Sequence, residues 1–322
     1  MTGYSLAPPS EPCFFEQAGV SRGITSHLGD IRDDDTLRAA LAEARPEIVL
    51  HLAAQAIVRR GYREPLETYS TNVMGTAQLL NLLRDRPEVR AIVSVTSDKC
   101  YQNREWLRGY SEEDPLGGKD PYSSSKAAAE LVTAAFRDSY YSGEASVTRI
   151  ATARAGNVIG GGDWAEDRLV PDLIRGFSSG NTVSIRCPGA IRPWQHVVEP
   201  LRGYLMLAER LWHGEPDFAS AWNFGPGTND ERSVSWIADR LVDLWGEGAQ
   251  WRVDDNEHPP EATYLKLATS KARESLGWEP RLPLETALEW VVEWHRAAIA
   301  GDDLRALTER QLEIYEESLA AE

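Results

Sequence analysis

Sulfur is scarce in this chain, with three cysteines and three methionines in 322 residues. Cys13, Cys100 and Cys187 are odd in number, far apart and never arranged as Cys-x-x-Cys. This argues against a disulfide framework and fits a reducing cytoplasm. The six histidines are dispersed, without a His-x-x-x-His pair or a His/Cys cluster, so no metal site is expected. Nowhere do eighteen apolar residues follow one another, and MTGYSLAPPSEP has no basic segment leading into an apolar run. Neither a membrane span nor an export signal is expected. Positive charge is also short: 34 Lys and Arg stand against 50 Asp and Glu, for a net charge of -16. Such a surface repels a nucleic-acid backbone, although local arginines can still hold a single nucleotide.

What is present is the composition of a globular protein, 42% hydrophobic and 26% charged. The length suits one large α/β domain or a main domain with a smaller lobe. Short β-branched runs, EIVLHLAA at 47–54, VRAIVSVTS at 89–97 and SVTRIATARA at 146–155, alternate with helical patterns at 65–84 and 122–139. That rhythm predicts a parallel sheet wrapped by helices. Asp35 ahead of TLRAALAEA and Pro65 ahead of LETYSTNVMGTAQLLNLL are helix start signals. Beyond residue 156 the alternation loosens, and helical stretches near 197–212, 233–245 and 284–299 precede an acidic, alanine-rich tail that reads as one more helix. The division expected is 1–156 for a main domain and 157–322 for a smaller mixed α/β lobe, with some return to the main sheet.

Tyr122 and Lys126 in PYSSSKAAAEL are four residues apart, which on a helix puts both on one face. A lysine ammonium beside a phenol lowers the phenol's pKa and turns it into a base. Taken alone, the pair reads rather as an exposed helical pair, since Tyr-x-x-x-Lys is common. The strand VSVTS, however, ends in Thr96, Ser97, Asp98 and Lys99 shortly before it, and polar residues at the carboxyl ends of parallel strands are where open α/β sheets bind ligands.

At these residues the chain resembles the extended short-chain dehydrogenase/reductase family, the NAD-dependent epimerase/dehydratase enzymes, whose Ser, Tyr and Lys triad falls on Ser97, Tyr122 and Lys126. The resemblance runs on through GDIRD at 29–33, HLAAQ at 51–55, TNVMGT at 71–76, RAGNVIGGGDW at 154–164, RPWQHVVEPL at 192–201 and WNFGP at 222–226. It implies a Rossmann-type doubly wound parallel sheet with a smaller substrate-binding lobe. Asp98-Lys99, where most sugar-nucleotide 4,6-dehydratases have Asp-Glu, is similar to the subclass acting on CDP-glucose. The reaction so implied uses NAD. Tyr122 takes the proton of the hydroxyl on sugar carbon 4, Ser97 bonds the same oxygen, Asp98 is the acid for the departing hydroxyl of carbon 6, and Lys99 is the base at carbon 5. The resemblance further places Asp30 and Ile31 beside the adenine, Leu52, Ala53 and Ala54 along the phosphates and ribose, and Asn72 near the nicotinamide, with Tyr122 and Lys126 also on the cofactor. Gln55, Asn157, Arg168, Arg192 and Glu261 fall on the sugar nucleotide, Asn157 and Arg192 at its diphosphate. Arginine suits that place because its planar fork donates two bonds to phosphate oxygens. Gly160 to Gly162 lack the Gly-x-Gly-x-x-Gly spacing and read as a flexible turn on the substrate side. A homodimer is the family's habit.

One departure stands out. The family begins with a strand, a glycine-rich turn and a helix that holds the dinucleotide pyrophosphate. MTGYSLAPPSEP resembles instead the end of the second strand, so the chain is expected to start about thirty residues late, with Met1 a misassigned start. The missing strand lies in the middle of this topology. Its loss is expected to leave buried peptide groups unpaired at roughly 1 to 3 kcal/mol each, enough to unfold a domain of about 5 to 15 kcal/mol stability unless the gap is filled. Two other functions therefore compete, a different sugar-nucleotide 4,6-dehydratase or 4-epimerase, and an inactive fragment or nucleotide-sugar binding module.

Overall fold

The computed structural model describes residues 1–143, 146–246, 248–256 and 262–320. Its strands are β1 (Thr2–Ser5), β2 (Thr25–Leu28), β3 (Ile48–His51), β4 (Ala91–Val95), β5 (Arg149–Ala155), β6 (Val158–Ile159), β7 (Val183–Ile185), β8 (Ile191–Pro193), β9 (Gln195–His196), β10 (Ala221–Phe224), β11 (Glu231–Ser233) and β12 (Trp251–Val253). The helices are α1 (Phe14–Gln17), α2 (Asp34–Ala44), α3 (Val58–Arg63), α4 (Pro65–Tyr69), α5 (Gly75–Leu83), α6 (Pro121–Phe136), α7 (Leu169–Ser178), α8 (Val198–Trp212), α9 (Val234–Trp245), α10 (Leu284–Ala300) and α11 (Leu304–Ala320).

The central sheet has the order β10-β5-β4-β3, all parallel. Its inner strand AIVSV is buried on both faces, as the near-continuous β-branched run predicts. Helices α5 and α6 pack on one side with Leu79, Leu80, Leu83 and Ile150, and α8 on the other with Leu207, Leu211, Trp222 and Phe224. A separate core gathers α7, α9 and α10 around Leu173, Ile174, Leu241 and Val291. β10, far along the chain, returns to extend the main sheet beside β5.

Helix starts follow local chemistry. Pro65 opens α4, which runs through a wide π turn at Ser70–Met74 into α5. Pro121 opens α6, with Asp120 accepting from Ser123 N at 2.9 Å. At α2 the cap is Asp33, which accepts from the amides of Asp35 and Thr36, and not the expected Asp35. Asp33, two residues further upstream, already has the extended backbone a cap needs, so Asp34 and Asp35 fall in the first turn, where the helix dipole favours them.

β1 and β2 pair only with each other. Among the described residues no ladder joins β1 to β3, as expected for a sheet with a central gap. The structure changes the reason why the gap matters. Ile48 is 44% exposed and Leu52 50%, with Leu6 and Leu28 more exposed still. The open edge therefore faces water, which can satisfy its peptide groups. The penalty lies in bare apolar surface rather than in buried unpaired amides.

Candidate active site

β4 carries the chain to the carboxyl edge of the sheet, where Thr96 N is held by Ala153 O at 2.8 Å. Ser97 is extended, and its Oγ accepts from Lys99 N at 3.2 Å and donates to Asp98 Oδ1 at 3.0 Å. This closes a tight turn over Asp98–Cys100 that tucks Asp98 inside, 2% exposed, while Lys99 stays partly exposed. Asp98 Oδ2 is buried without a hydrogen-bond partner. Burial pushes the Asp98 carboxyl above its usual range, against the opposing pull of Lys99, Ser97 and Arg192. Gly156 faces it across the turn, and a Cβ there would collide with the Asp98 carboxylate.

Helix α6 presents Tyr122 and Lys126 to this strand end, both buried. Burial raises the Tyr122 phenol to about 12, with Ser97 and Arg168 pulling it down and Asp98 pushing it up. This reverses the expectation that Lys126 lowers it. Lys126 is not among the groups acting on the phenol, and its Nζ donates to Val95 O at 3.3 Å. Burial holds Lys126 itself down to about 8, opposed chiefly by Glu130. His51, at the end of β3, is pressed to about 3 by burial and by Lys126, and its Nε2 lies 2.9 Å from Thr76 Oγ1.

Leu52 and Ala53 are exposed just after β3, with Ala54 partly so. Asn72 is buried behind them, accepting from Gln55 N at 2.8 Å and donating to Gln55 O and to Ser125 Oγ. It thereby ties this loop to α6. Gln55 is also turned inward, its amide bonded to Thr68 Oγ1 and to Ile57 N. Asp30 ends the β2 turn with its carboxylate forked to Arg32, a bond that lowers its pKa, and Ile31 is buried in the core against α5. The strand ends thus carry small or exposed side chains at the middle, Asp30 at one end, and Ser97, Tyr122 and Lys126 at the other. That arrangement fits an extended dinucleotide at both of its ends.

On the far wall, Arg192 is buried in β8, its Nη1 donating to Ile191 O at 2.9 Å and its charge felt by Asp98. Asn157 adopts left-handed backbone, φ 44°, and its carbonyl accepts from Gln195 N. Arg168 reaches both Asp163 at 3.2 Å and the field of Tyr122. Glu261 lies outside the described residues. Gly160 to Gly162, expected as a flexible turn on the substrate side, are tightly packed. A Cβ on Gly161 would collide with Trp294, and Gly162 at φ 76° packs against Phe14 and the same indole. Gly161 and Gly162 are there because Trp294 of α10 comes too close for a side chain, whereas a Cβ on Gly160 would meet Val197.

Sequence reasoning passed over Glu105, whose carboxylate accepts from Thr263 N and, at 2.7 Å, from Tyr264 N, clipping the segment that borders Arg192. It also passed over Glu130 and Arg154, a buried pair beneath Lys126. A charged residue inside the apolar strand RIATARA was the signal for the second. Among the described residues no group of three or more His, Cys, Asp or Glu could hold a metal ion, and no helix is long and apolar enough to cross a membrane.

Residues 15–290 match the family described as GDP-mannose 4,6 dehydratase. CDP-glucose 4,6-dehydratase of Salmonella typhimurium is 50% identical over 316 residues, 97% of this chain and 88% of that protein. dTDP-D-glucose 4,6-dehydratase of Mus musculus is 29% identical, covering 83% of this chain and 73% of its own. Among solved structures, UDP-glucuronic acid 4-epimerase from Bacillus cereus, in complex with UDP-glucuronic acid and NAD, superposes with a TM-score of 0.80 at 18% identity, over 92% of this chain and 91% of that one. At that identity the likeness speaks for the fold.

Proposed function

Because this chain belongs to the extended short-chain dehydrogenase/reductase family, in its NAD-dependent epimerase/dehydratase branch, we infer that it catalyses 4,6-dehydration of CDP-glucose to CDP-4-dehydro-6-deoxy-glucose. The observation that carries the chemistry is the Ser97-Asp98-Lys99 turn at the end of β4, set against Tyr122 on α6, with a buried carboxyl whose pKa is raised.

NAD supplies the acceptor for the hydride of sugar carbon 4 and then its donor to carbon 6. Leu52, Ala53 and Ala54 would lie along it, with Asp30 and Ile31 toward the adenine and Asn72, Tyr122 and Lys126 toward the nicotinamide. Tyr122 removes the proton of the carbon 4 hydroxyl while Ser97 bonds that oxygen. The phenol is neutral at rest because it is buried, so it becomes a base only as positive charge gathers near it. Arg168 and the bond with Ser97 already act in that direction. The ketone so formed acidifies the hydrogen on carbon 5, which Lys99 removes. Asp98 keeps its proton to higher pH than a solvated aspartate and gives it to the departing hydroxyl of carbon 6. Water is the product of that pair of transfers; the proton held on Lys99 would return to carbon 5 as hydride enters at carbon 6, and no external oxidant is consumed. Asn157 and Arg192 hold the diphosphate, with Arg168, Gln55 and Glu261 completing the substrate side, so that residues 157–322 serve mainly as the substrate lobe and 1–156 as the cofactor domain.

The chain works as a homodimer in the cytoplasm. Support for the dimer is an apolar stripe over α4 and α6, where Leu66 is 83% exposed, Leu131 is also exposed, and Tyr69 is joined to Ser124 at 2.6 Å. Three free cysteines suit a reducing compartment.

Incubation with CDP-glucose and NAD, followed by mass spectrometry, tests the activity. A product lighter by one water that disappears in Tyr122→Phe is expected. An isomer of unchanged mass would instead make the chain a 4-epimerase, and sugar nucleotide bound without turnover would make it a binding module.

A further inference from the structure

Below Lys126, one helical turn along the same face of α6, Glu130 is 3% exposed. Its Oε1 accepts from Thr96 Oγ1, the residue next to Ser97. Its Oε2 accepts from Thr152 Oγ1 and from Arg154 Nη2, both at 2.7 Å. Arg154 in turn donates to Tyr101 OH at 2.8 Å and lies under that ring, 4.9 Å from its centroid. Tyr101 OH donates to Asn223 Oδ1 at 2.7 Å. One carboxylate thus joins the catalytic helix to the ends of β4 and β5 and, through Arg154, to β10.

We propose that Glu130 is a positioning residue for the dehydration reaction, fixing α6 against the Ser97 strand end and balancing the buried Lys126 ammonium so that it stays charged at neutral pH. The electrostatic surroundings leave it alone in that role. Facing Lys126 are His51 from β3 and Cys100 from the turn after β4, and on α6 itself Tyr122 and Glu130. Burial keeps both His51 and Cys100 uncharged near neutrality. The α5 and π-turn side contributes uncharged Thr76 and Asn72. Of the charges of α3 and α4, Arg60 pairs at the surface with Glu64 and Glu67, and Arg59 and Arg63 pair with Asp167, as Arg137 does with Asp138 beyond the end of α6. Arg154 approaches from β5, but it is already joined to Glu130. Asp98, in the same turn as Cys100, is buried with its carboxyl pushed above its usual range, so among the described residues Glu130 is the anion that acts on the Lys126 ammonium, and a buried ammonium depends on such a neighbour.

The test is a direct titration of the lysine ε-carbons by NMR in the full chain labelled with 13C-lysine. Lys99, Lys119, Lys126, Lys266 and Lys271 are its lysines, so the resonances are assignable by substitution. In Glu130→Gln the Lys126 midpoint is expected to fall by about one to three pH units, while Glu130→Asp, which keeps the charge and alters the shape, stays near wild type. A purely structural role predicts the reverse order, since glutamine preserves the shape better than aspartate. An unmoved midpoint in Glu130→Gln overturns the proposal. Should Glu130→Gln not fold, the double variant Glu130→Leu with Arg154→Leu removes the ion pair as a unit, a replacement buried pairs commonly tolerate. Its Lys126 midpoint must also fall, and an unchanged value again overturns the idea. Only the activity arm rests on the dehydratase reading: turnover of CDP-glucose by Glu130→Gln is expected near wild type at acid pH and several-fold lower at pH 8. If CDP-glucose is not turned over by the wild type, that reading fails while the titration still decides the role of Glu130.

Discussion

Gly156 and Asp98 form a steric pair in which one residue exists for the sake of the other. A methyl group on Gly156 would occupy the place of the Asp98 carboxylate, so Gly156→Ala is expected to turn Asp98 out of its pocket. Loss of a general acid slows turnover by roughly 100-fold or more. Gly156→Ala and Asp98→Asn should therefore lose kcat alike, with KM for the sugar nucleotide little changed. Full activity in Gly156→Ala would show that the proton comes from elsewhere. Buried histidines give a second expectation. In the folded chain His51 has its pKa lowered to about 3 and His196 to about 4, both by burial, against a value of 6.5 when unfolded. Between those values the unfolded chain binds protons that the native one does not, so stability falls as pH drops below 6.5. The loss should reach a few kcal/mol by about pH 4. Urea unfolding at pH 7 and pH 4.5 checks this. His51→Gln, which keeps a partner for Thr76, should show a smaller drop than wild type, and an equal drop would place the acid sensitivity in other groups.

At the scale of elements, the close approach of α10 to the turn after β6 makes this region intolerant of added volume. Gly161→Ala would drive a methyl into Trp294, itself 1% exposed, and should destabilise the chain by about 1 to 3 kcal/mol as measured by denaturant midpoint. No change would mean that the turn can move aside. The exposed stripe on α4 and α6 carries a different prediction, since a buried charge in an apolar interface is unfavourable. Leu131→Asp should shift the protein from dimer to monomer in analytical ultracentrifugation, and a monomeric wild type would remove the stripe's proposed purpose. The alternation of strand and helix, the Pro65 start and the C-terminal helix were all legible in sequence, because each is fixed by local periodicity and capping. The Asp33 cap was misplaced by two residues because three consecutive aspartates present the same chemistry, and only the backbone conformation selects one.

For the whole molecule, the division of the sheet matters most. β4 and β5 are covered on both faces, whereas β1 and β2 form a pair of their own beside an open apolar edge. Regions with few buried contacts open at lower free energy than the core. Amides of Thr2–Leu28 should therefore exchange with deuterium at least about tenfold faster than those of Ala91–Val95. Equal protection would mean that the two sheets unfold as one unit. What the sequence by itself determined is the order of the elements and the placing of Ser97, Asp98 and Lys99 at a strand end and of Tyr122 and Lys126 on one helix face, since both follow from spacing and local pattern along the chain. Tertiary structure alone decided the charge states. It raises the pKa of Tyr122 where a neighbouring lysine had suggested lowering, buries Asp98 against Gly156, and sets Glu130 and Arg154 under Lys126. Those outcomes depend on desolvation and on partners up to a hundred residues away, and neither is written in the spacing of residues along a helix.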